Sequence, residues 1–190
     1  IRRRRVTSAL KKMDYPGAAD EVPISICVVA CEPSGDTLGG KALAAIKARF
    51  GDRAHVWGIG GTSMMAAGGF ESLVLLEHLA VGGLAFVKAL PRLVRAFFTM
   101  RRLIRAKRPH VLLTFDAPDF NFRLLRMTPK SIVKIHCVAP SVWAWRPRRA
   151  AKIARFLNHL CTLLPFEPPY FEKHGLKATF VGHPMREASQ

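Results

Sequence analysis

Asp116 is the first candidate for a catalytic residue in this sequence, because its carboxylate could act as a general base. It follows Val111–Phe115, a short apolar run rich in β-branched and aromatic residues, which is typical of a buried strand. Pro118 removes a backbone donor and ends that strand, and Asp119 is expected to cap a helix that begins near Phe120. Asp116 lies at the carboxyl end of the strand, where ligands bind in open α/β sheets. Two interpretations stay open for Asp116: proton transfer, or simple capping of the turn.

A second candidate is Glu32, which opens the turn EPSGD just after the apolar run Ile24–Ala30. That run predicts another buried strand, and Glu32 has no evident structural role beyond its end. Ser34 and Asp36 could bind ligand hydroxyl groups or cap the next helix, and Gly35 allows a close approach of the backbone. The turn lacks the spacing G-x-G-x-x-G, which argues against a dinucleotide-binding dehydrogenase.

The stretch VAPSVWAWR, residues 138–146, is a third concentration of unusual residues. Trp143 and Trp145 lie one residue apart, between a predicted strand and a basic predicted helix. Stacking on a sugar face or packing across a domain cleft would suit them, and a pure packing role stays open. His136, just before this stretch, is expected to be a core histidine. The histidines and cysteines show no metal-ligand spacing, so no metal site is expected.

The elements that must position these residues alternate along the chain. Strands are predicted at 24–30, 54–59, 70–76, 111–115, 131–138, 160–164 and 178–181. Helices are predicted at 37–50, 62–67, 86–107, 120–127, 147–157 and 168–174. This alternation predicts an α/β fold with a doubly wound, Rossmann-like parallel sheet covered by helices on both faces.

The charge of the chain indicates a polyanionic partner. Lys and Arg number 30 against 13 Asp and Glu, and the runs 2–12, 92–108 and 146–155 contain no acid. Nucleic acid, phosphorylated small molecules and anionic membranes all fit this charge, and composition does not distinguish them. In the second run, Phe97, Phe98, Arg101 and Arg102 could form a basic amphipathic surface that lies on lipid. The alternative is a solvated charged face with its aromatic residues in the core.

Two other segments bear on the organisation of the chain. Residues 1–22 are Arg-rich without an apolar region and are expected to form a basic disordered tail. The longest apolar tract, 73–90, includes Glu77, His78 and Lys88, which argues against a membrane-spanning helix.

Seven motifs, taken together, resemble those of the lipid-A-disaccharide synthase family. In chain order they are EPSGD with LG, then GIGG, LAV, DAPDFN, PSVWAWR, PFEP and VGHP. Their order and spacing match from about Ile24 to Pro184, and DAPDFN and PSVWAWR are highly specific. The family is similar to two-domain GT-B glycosyltransferases, and the matched part is its N-terminal half.

The resemblance implies a fold, a reaction and a set of site residues. Residues 23–185 would form the Rossmann-like acceptor-binding domain, and 186–190 would begin a linker to a C-terminal donor domain. The reaction would transfer 2,3-diacylglucosamine from its UDP carrier to 2,3-diacylglucosamine 1-phosphate, giving a β(1→6) bond with inversion. Asp116 would be the catalytic base, and Glu32 the second catalytic carboxylate. The residues implied to bind substrate are Ser34, Gly35, Asp36, Asn121, Ser141, Trp143, Trp145 and Arg146.

The implied partners are the UDP-linked donor, met mainly in the C-terminal half, the lipid acceptor and an anionic membrane surface. No cofactor, metal or nucleic acid is implied, and a homodimer stays open. The implied location is cytoplasmic, peripheral on the inner face of the inner membrane of a Gram-negative-type bacterium. Two alternatives remain: an inactive fragment, since this chain alone is expected to be incomplete as an enzyme, and a basic nucleic-acid-binding α/β domain.

Overall fold

A computed structural model describes residues 23–75, 85–142 and 147–182 of the 190-residue chain. The strands within these ranges are β1 (Ile24–Ala30), β2 (Ala54–Gly60), β3 (Phe70–Leu75), β4 (Val111–Phe115), β5 (Val133–Cys137), β6 (His159–Thr162) and β7 (Lys177–Phe180). The helices are α1 (Pro33–Phe50), α2 (Thr62–Ala66), α3 (Ala85–Lys107), α4 (Pro118–Met127), α5 (Pro147–Ala154) and α6 (Pro168–Glu172). The predicted basic tail 1–22 and the predicted linker 186–190 lie outside the described residues.

These strands form one parallel sheet in the order β3-β2-β1-β4-β5-β6-β7. The chain builds outward from β1 to β3, then returns to the other side of β1 and builds outward again to β7. Each step from a strand to the next parallel strand needs a crossover, which accounts for the helices between them. The doubly wound, Rossmann-like parallel sheet predicted from the alternating pattern is therefore confirmed.

The period of two along each strand divides the core into two layers. Cys27 and Val29 face one layer, which they share with apolar residues of α3, α4, α5 and α6. Ile26 and Val28 face the other layer, which includes residues of α1 and α2. This second layer is only partly covered, because an apolar groove beside α1 crosses β4, β5 and β6 and reaches Val181. Helical cover on both faces, as predicted, is thus incomplete within the described ranges.

Two helix starts differ from the predictions, and proline is the reason in both. The segment 33–36 was expected to be a turn, but α1 begins at Pro33, and the N–H of Asp36 donates to the carbonyl of Glu32 at 2.9 Å. α4 likewise begins at Pro118 rather than near Phe120. Proline suits the first position of a helix because its φ is already helical and the missing N–H would have had no partner there.

The expectation that Asp119 caps α4 is wrong. The N-cap residue is Ala117, and no side chain among the described residues makes a capping hydrogen bond there. The side chain of Asp119 is 95% exposed and lies 3.6 Å from the guanidinium of Arg149. Its carboxylate is in the first turn of the helix, where negative charge is favourable without a hydrogen bond.

Asp36 holds α1 against the start of α2. Its carboxylate accepts hydrogen bonds from the backbone N–H groups of Gly61 at 2.7 Å, Ser63 at 2.8 Å and Met64 at 3.3 Å. The two helices approach closely at Gly40, where a Cβ would lie 2.8 Å from the carbonyl oxygen of Ser63. Asp36 is 3% exposed, so this buried charge is stabilised by backbone donors rather than by water.

Among the helices of the described ranges, none has the length and apolar character that crossing a bilayer requires.

We expect Asp36→Asn to lower the free energy of unfolding by about 2–3 kcal/mol, because the amide would turn an N–H group toward backbone donors and weaken a charge-assisted acceptor. Urea unfolding followed by circular dichroism measures this. The control is Asp52→Asn, at an exposed position just after α1, which should stay within roughly 0.5 kcal/mol of the parent. Equal effects of the two substitutions would contradict a structural role for Asp36.

Candidate functional site

The candidate site lies at the carboxyl ends of β1 and β4, where the strand order reverses. Ala30 and Phe115, the last residues of these strands, are partners in the parallel register. The chain leaves them toward opposite faces of the sheet, into α1 and into α4, and this divergence opens a crevice at the edge. Because Glu32 and Asp116 follow the two strand ends directly, both predicted carboxylates emerge at this crevice.

Asp116 is held on a left-handed backbone. Its φ is 49°, and that of Ala117 is 41°. Such a conformation costs roughly 1–2 kcal/mol per non-glycine residue and persists only where the surroundings hold it. The N–H of Asp116 donates to the carbonyl of Cys137 at 3.0 Å. This bond ties the strained turn to the neighbouring strand and fixes the direction in which the side chain of Asp116 leaves the backbone.

The side chain of Asn121, on α4, holds the same turn through two hydrogen bonds. Its Nδ2 donates to the carbonyl oxygens of Phe115 at 3.0 Å and of Asp116 at 2.8 Å. The side chain is fully buried, and in the described part of the chain its Oδ1 has no hydrogen-bond partner. The expected contact between Asn121 and substrate is therefore corrected: Asn121 supports the backbone that presents Asp116.

Ser34 brings the first βα turn to Asp116. Its hydroxyl donates to Oδ2 of Asp116 at 2.8 Å. Gly35 makes this possible, because a Cβ there would lie 3.2 Å from the carbonyl oxygen of Phe115. The close approach predicted for Gly35 is thus to the end of β4, and Gly35 is buried rather than available to substrate. Asp36 is also corrected, since its carboxylate is buried and fully engaged at α2.

Glu32 is exposed beside this pair. Partial burial raises the pKa of Glu32 above its usual value, and the negative charge of Asp116 raises it further. Two carboxylates that share a site disfavour each other's ionisation. Glu32 therefore holds its proton to a higher pH than an isolated glutamate does.

The loop after β5 forms the next part of the edge. Val138 has a φ of 82°, a rare value for a β-branched residue, and its N–H donates to the carbonyl of Cys161 at 3.0 Å. Ser141, three residues further on, is exposed and accessible to a ligand. The predicted substrate-binding residues Trp143, Trp145 and Arg146 lie outside the described residues.

His136 is not a candidate base. Its ring is fully buried, with Nδ1 at 2.7 Å from the hydroxyl oxygen of Thr114 and the ring edge against Phe122. Burial lowers the pKa of His136 to about 3, so the ring is neutral at physiological pH. This confirms the prediction of a core histidine.

The basic helix α3 carries an exposed apolar stripe. Leu90, Val94 and Phe98 are exposed and spaced four residues apart, so they lie on one face. Phe97 belongs elsewhere, because its ring packs edge-on against Phe120 at 5.6 Å and joins the core. The membrane contact expected of Phe97 is therefore corrected, while Phe98 is available for one.

The basic residues of α3 also differ in exposure. Arg95, Arg102 and Arg105 are exposed and flank the stripe at helical spacing. Arg101 is half-buried, and its Nε is buried without a hydrogen-bond partner among the described residues. The predicted basic amphipathic surface is therefore present on α3: exposed apolar residues have positive charges beside them. Arg102 belongs to this surface, whereas Arg101 is only half-exposed there.

Sequence reasoning missed two features of this site. The first is the left-handed backbone of Asp116 and Ala117. Its one signal in the sequence is Pro118, which biases the preceding residue away from the helical conformation. The hydrogen bond from Ser34 to Asp116 joins residues 82 positions apart, so no local pattern indicates it.

The raised pKa of Glu32 gives a pH-dependent prediction. The folded state favours protonated Glu32, so the corresponding stability is complete below the ordinary pKa of 4.5 and is lost as pH rises through the raised value. Glu32→Gln removes the ionised form. We therefore compare the melting temperature of Glu32→Gln with that of the parent at each pH. The difference, variant minus parent, should be more positive at pH 7 than at pH 4. Glu172→Gln, at an exposed position on α6, should show no such pH-dependent difference; a flat difference for Glu32→Gln would contradict the pairing with Asp116.

Comparisons with known proteins match most of the length of this chain. The family model described as lipid-A-disaccharide synthetase matches residues 26–190. The lipid-A-disaccharide synthase of Rhodospirillum centenum is 46% identical over 170 residues, which cover 87% of this chain and 42% of that protein. The corresponding protein of Paramagnetospirillum magneticum is 44% identical over 170 residues, with coverage of 86% and 43%.

A crystal structure of MurG from Acinetobacter baumannii aligns with a TM-score of 0.49 and 14% identity, over 76% of this chain and 42% of that one. The chain spans less than half the length of the curated relatives named above. The match of the family model runs from within β1 past β7 and includes both candidate carboxylates. The chain therefore belongs to the lipid-A-disaccharide synthetase family.

Proposed function

We propose that this chain is the acceptor-binding, N-terminal part of a GT-B glycosyltransferase of lipid A biosynthesis. The reaction transfers 2,3-diacylglucosamine from its UDP carrier to the 6-hydroxyl of 2,3-diacylglucosamine 1-phosphate. One observation carries the proposal: Asp116 is presented on a strained, fourfold-anchored turn at the crevice of the sheet, within a chain that matches the family from residue 26 onward. Strain of this kind is characteristic of functional sites.

Asp116 acts in this proposal as the general base. The 6-hydroxyl oxygen of the acceptor attacks the anomeric carbon of the donor, and its proton passes to the carboxylate of Asp116. The bond between that carbon and the diphosphate breaks, and UDP leaves with the electron pair. Because the attack comes from the face opposite UDP, the anomeric centre inverts and the β(1→6) bond results. A positioned base typically contributes about 10²–10⁴-fold to the rate.

Other ionisable groups near the crevice fit the base role less well. His136 is buried and neutral, with a pKa of about 3. The thiol of Cys31 is buried, and burial raises the pKa of Cys31 far above physiological pH. Glu32 is exposed, and no described hydrogen bond holds its carboxylate in one direction. We assign Glu32 as the second carboxylate of the site, which lies beside the acceptor and contributes negative charge near Asp116.

The donor carries a nucleoside diphosphate, and its binding site is assigned to the additional length of the relatives. The curated relatives extend well beyond the part that this chain covers. A second Rossmann-like domain in that length would bring a helix N-terminus to the diphosphate. The exposed Ser141 would then face the acceptor sugar from the first domain.

The stripe of Leu90, Val94 and Phe98, with Arg95, Arg102 and Arg105 beside it, is proposed to rest on an anionic membrane surface. The acceptor is a lipid that stays in the bilayer, so the enzyme would work as a peripheral protein on the inner face of the inner membrane. Each Lys or Arg near an anionic leaflet contributes about 1 kcal/mol of attraction. Three flanking arginines and three exposed apolar side chains therefore suffice for reversible attachment.

Asp116→Asn, made in a full-length protein that contains this sequence, tests the base. Asparagine tolerates the left-handed backbone and still accepts a hydrogen bond, so the turn should keep its shape. We expect kcat to fall by roughly 10²-fold or more with little change in KM. Steady-state kinetics with the UDP-sugar and the lipid acceptor provide the measurement.

Asp119→Asn is the matched control for that experiment. It removes the same charge three residues away, from an exposed side chain that anchors nothing in the turn. Its kcat should stay within about twofold of the parent. If Asp116→Asn kept most of the activity, Asp116 would not be the base, and Glu32 would become the candidate.

Membrane attachment is tested by neutralising Arg95, Arg102 and Arg105 together as glutamines. Binding to vesicles of phosphatidylglycerol and phosphatidylcholine should weaken by on the order of 10²-fold at low salt, and the parent's binding should fall as salt rises. Cosedimentation measures both effects.

The control neutralises Arg123, Arg126 and Lys130, which are exposed on α4 and in the loop that follows it. The two variants lose the same net charge. Equal weakening in both would show that net charge, rather than the face of α3, governs binding. Salt-independent binding of the parent would oppose an electrostatic attachment altogether.

A further inference from the structure

The backbone of Asp116 is fixed, but its carboxylate can still rotate. Hydrogen bonds from the backbone N–H to Cys137 and from Asn121 to the carbonyl oxygen hold the main chain. Neither of them restrains the two side-chain torsions, and a general base acts efficiently only when one oxygen points at the proton it removes. In the described part of the chain, the hydroxyl of Ser34 is the donor that reaches this carboxylate, at 2.8 Å from Oδ2.

Ser34 is itself rigidly placed. It is the second residue of α1, directly after Pro33, whose ring restricts the backbone at the start of the helix. The next residue, Gly35, lies against the end of β4, where even a Cβ would be 3.2 Å from the carbonyl oxygen of Phe115. One residue further, Asp36 ties the same turn to α2 through three hydrogen bonds. The first turn of α1 therefore presents the Ser34 hydroxyl at a fixed position.

The hydroxyl of Ser34 does not serve its own helix. The side chain of Glu32, the N-cap residue of α1, makes no capping hydrogen bond. The neighbouring hydroxyl, of Thr37, behaves in the ordinary way and donates to the carbonyl of Pro33 one turn back at 3.1 Å. Ser34 instead donates across the crevice to a residue 82 positions away. Its hydrogen bond thus links the two strand ends that form the site.

We propose that Ser34 is the positioning residue that orients the base: it holds Oδ2 of Asp116 and leaves Oδ1 to receive the proton of the acceptor hydroxyl. The inference rests on the proposed function, in which Asp116 is that base. An ionised carboxylate only accepts hydrogen bonds, so Ser34 is the donor, and its single proton stays on its own oxygen throughout. The acceptor O–H bond breaks, the Oδ1–H bond forms, and Ser34 keeps the carboxylate from rotating meanwhile.

This assignment changes the role that the sequence suggested for Ser34. A residue that bound substrate directly would affect KM when truncated, because it would contribute to the ground-state complex. A residue that orients the base affects kcat, because its effect is expressed only as the proton moves.

The test compares Ser34→Ala and Ser34→Thr in a full-length protein that contains this sequence. We expect Ser34→Ala to lower kcat by roughly 10-fold with KM nearly unchanged, since one charge-assisted hydrogen bond is lost. Ser34→Thr keeps the hydroxyl and should recover most of kcat. Thr37→Val, which removes a hydroxyl one turn later on the same helix, should leave kcat unchanged.

A double-mutant cycle with Asp116→Asn separates orientation from general structural damage. If Ser34 acts through the Asp116 carboxylate, adding Ser34→Ala to Asp116→Asn should lower kcat no further. An equal loss in both backgrounds, an unchanged kcat for Ser34→Ala, or a rise in KM alone would each overturn the inference. Melting temperatures of all the variants, followed by circular dichroism, show whether any loss of activity reflects unfolding.

The same set of variants distinguishes the two levels of the proposal. If Asp116→Asn keeps its activity, the assignment of the base fails, whatever Ser34→Ala does. If Asp116→Asn loses activity while Ser34→Ala keeps it, the base stands and the orienting role of Ser34 is overturned.

Discussion

The left-handed turn at Asp116 and Ala117 is the constraint on which the site depends. Two consecutive non-glycine residues with positive φ would relax if they were left alone. They do not relax, because the carbonyl of Cys137 accepts one N–H and the buried amide of Asn121 donates to two carbonyl oxygens. The strained turn therefore lowers the stability of the fold at this point of the sheet edge. In return, the position from which the Asp116 side chain leaves the backbone is fixed.

The site also depends on how closely α1 approaches the end of β4. Gly35 permits contact with Phe115, and Gly40 permits contact with the start of α2, so a helix packs where a side chain would have kept it away. Asp36 then anchors the arrangement with three backbone hydrogen bonds. Small residues and one buried charge thus set the width of the crevice between the two strand ends, and the width allows Ser34 to reach Asp116.

Sequence periodicity predicted the fold well, because strands and helices leave signals within a few residues. The order of elements, the parallel sheet and the position of both carboxylates at strand ends all follow from such local signals. The individual roles of polar residues did not follow. Asp36 and Asp119 were assigned from neighbouring residues, and Asn121 from the family resemblance. Their actual partners come from other elements: the start of α2 for Asp36, the end of β4 for Asn121 and Arg149 of α5 for Asp119. Phe97 and Phe98 show the same limit, since one helical step places one in the core and the other in solvent.

Two carboxylates at one crevice raise the question of which one accepts the proton. Like charges at short range disfavour double ionisation, and partial burial together with the negative charge of Asp116 raises the pKa of Glu32. Glu32 is exposed, and no described hydrogen bond fixes its carboxylate, so it can keep or release a proton without rearranging the fold. Asp116 is half-buried, anchored through its backbone and bonded by Ser34, an arrangement that suits the oriented base of the proposed reaction. In that proposal the carboxylate held by Ser34 is the base, and Glu32, which no described hydrogen bond fixes, contributes to the charge around it.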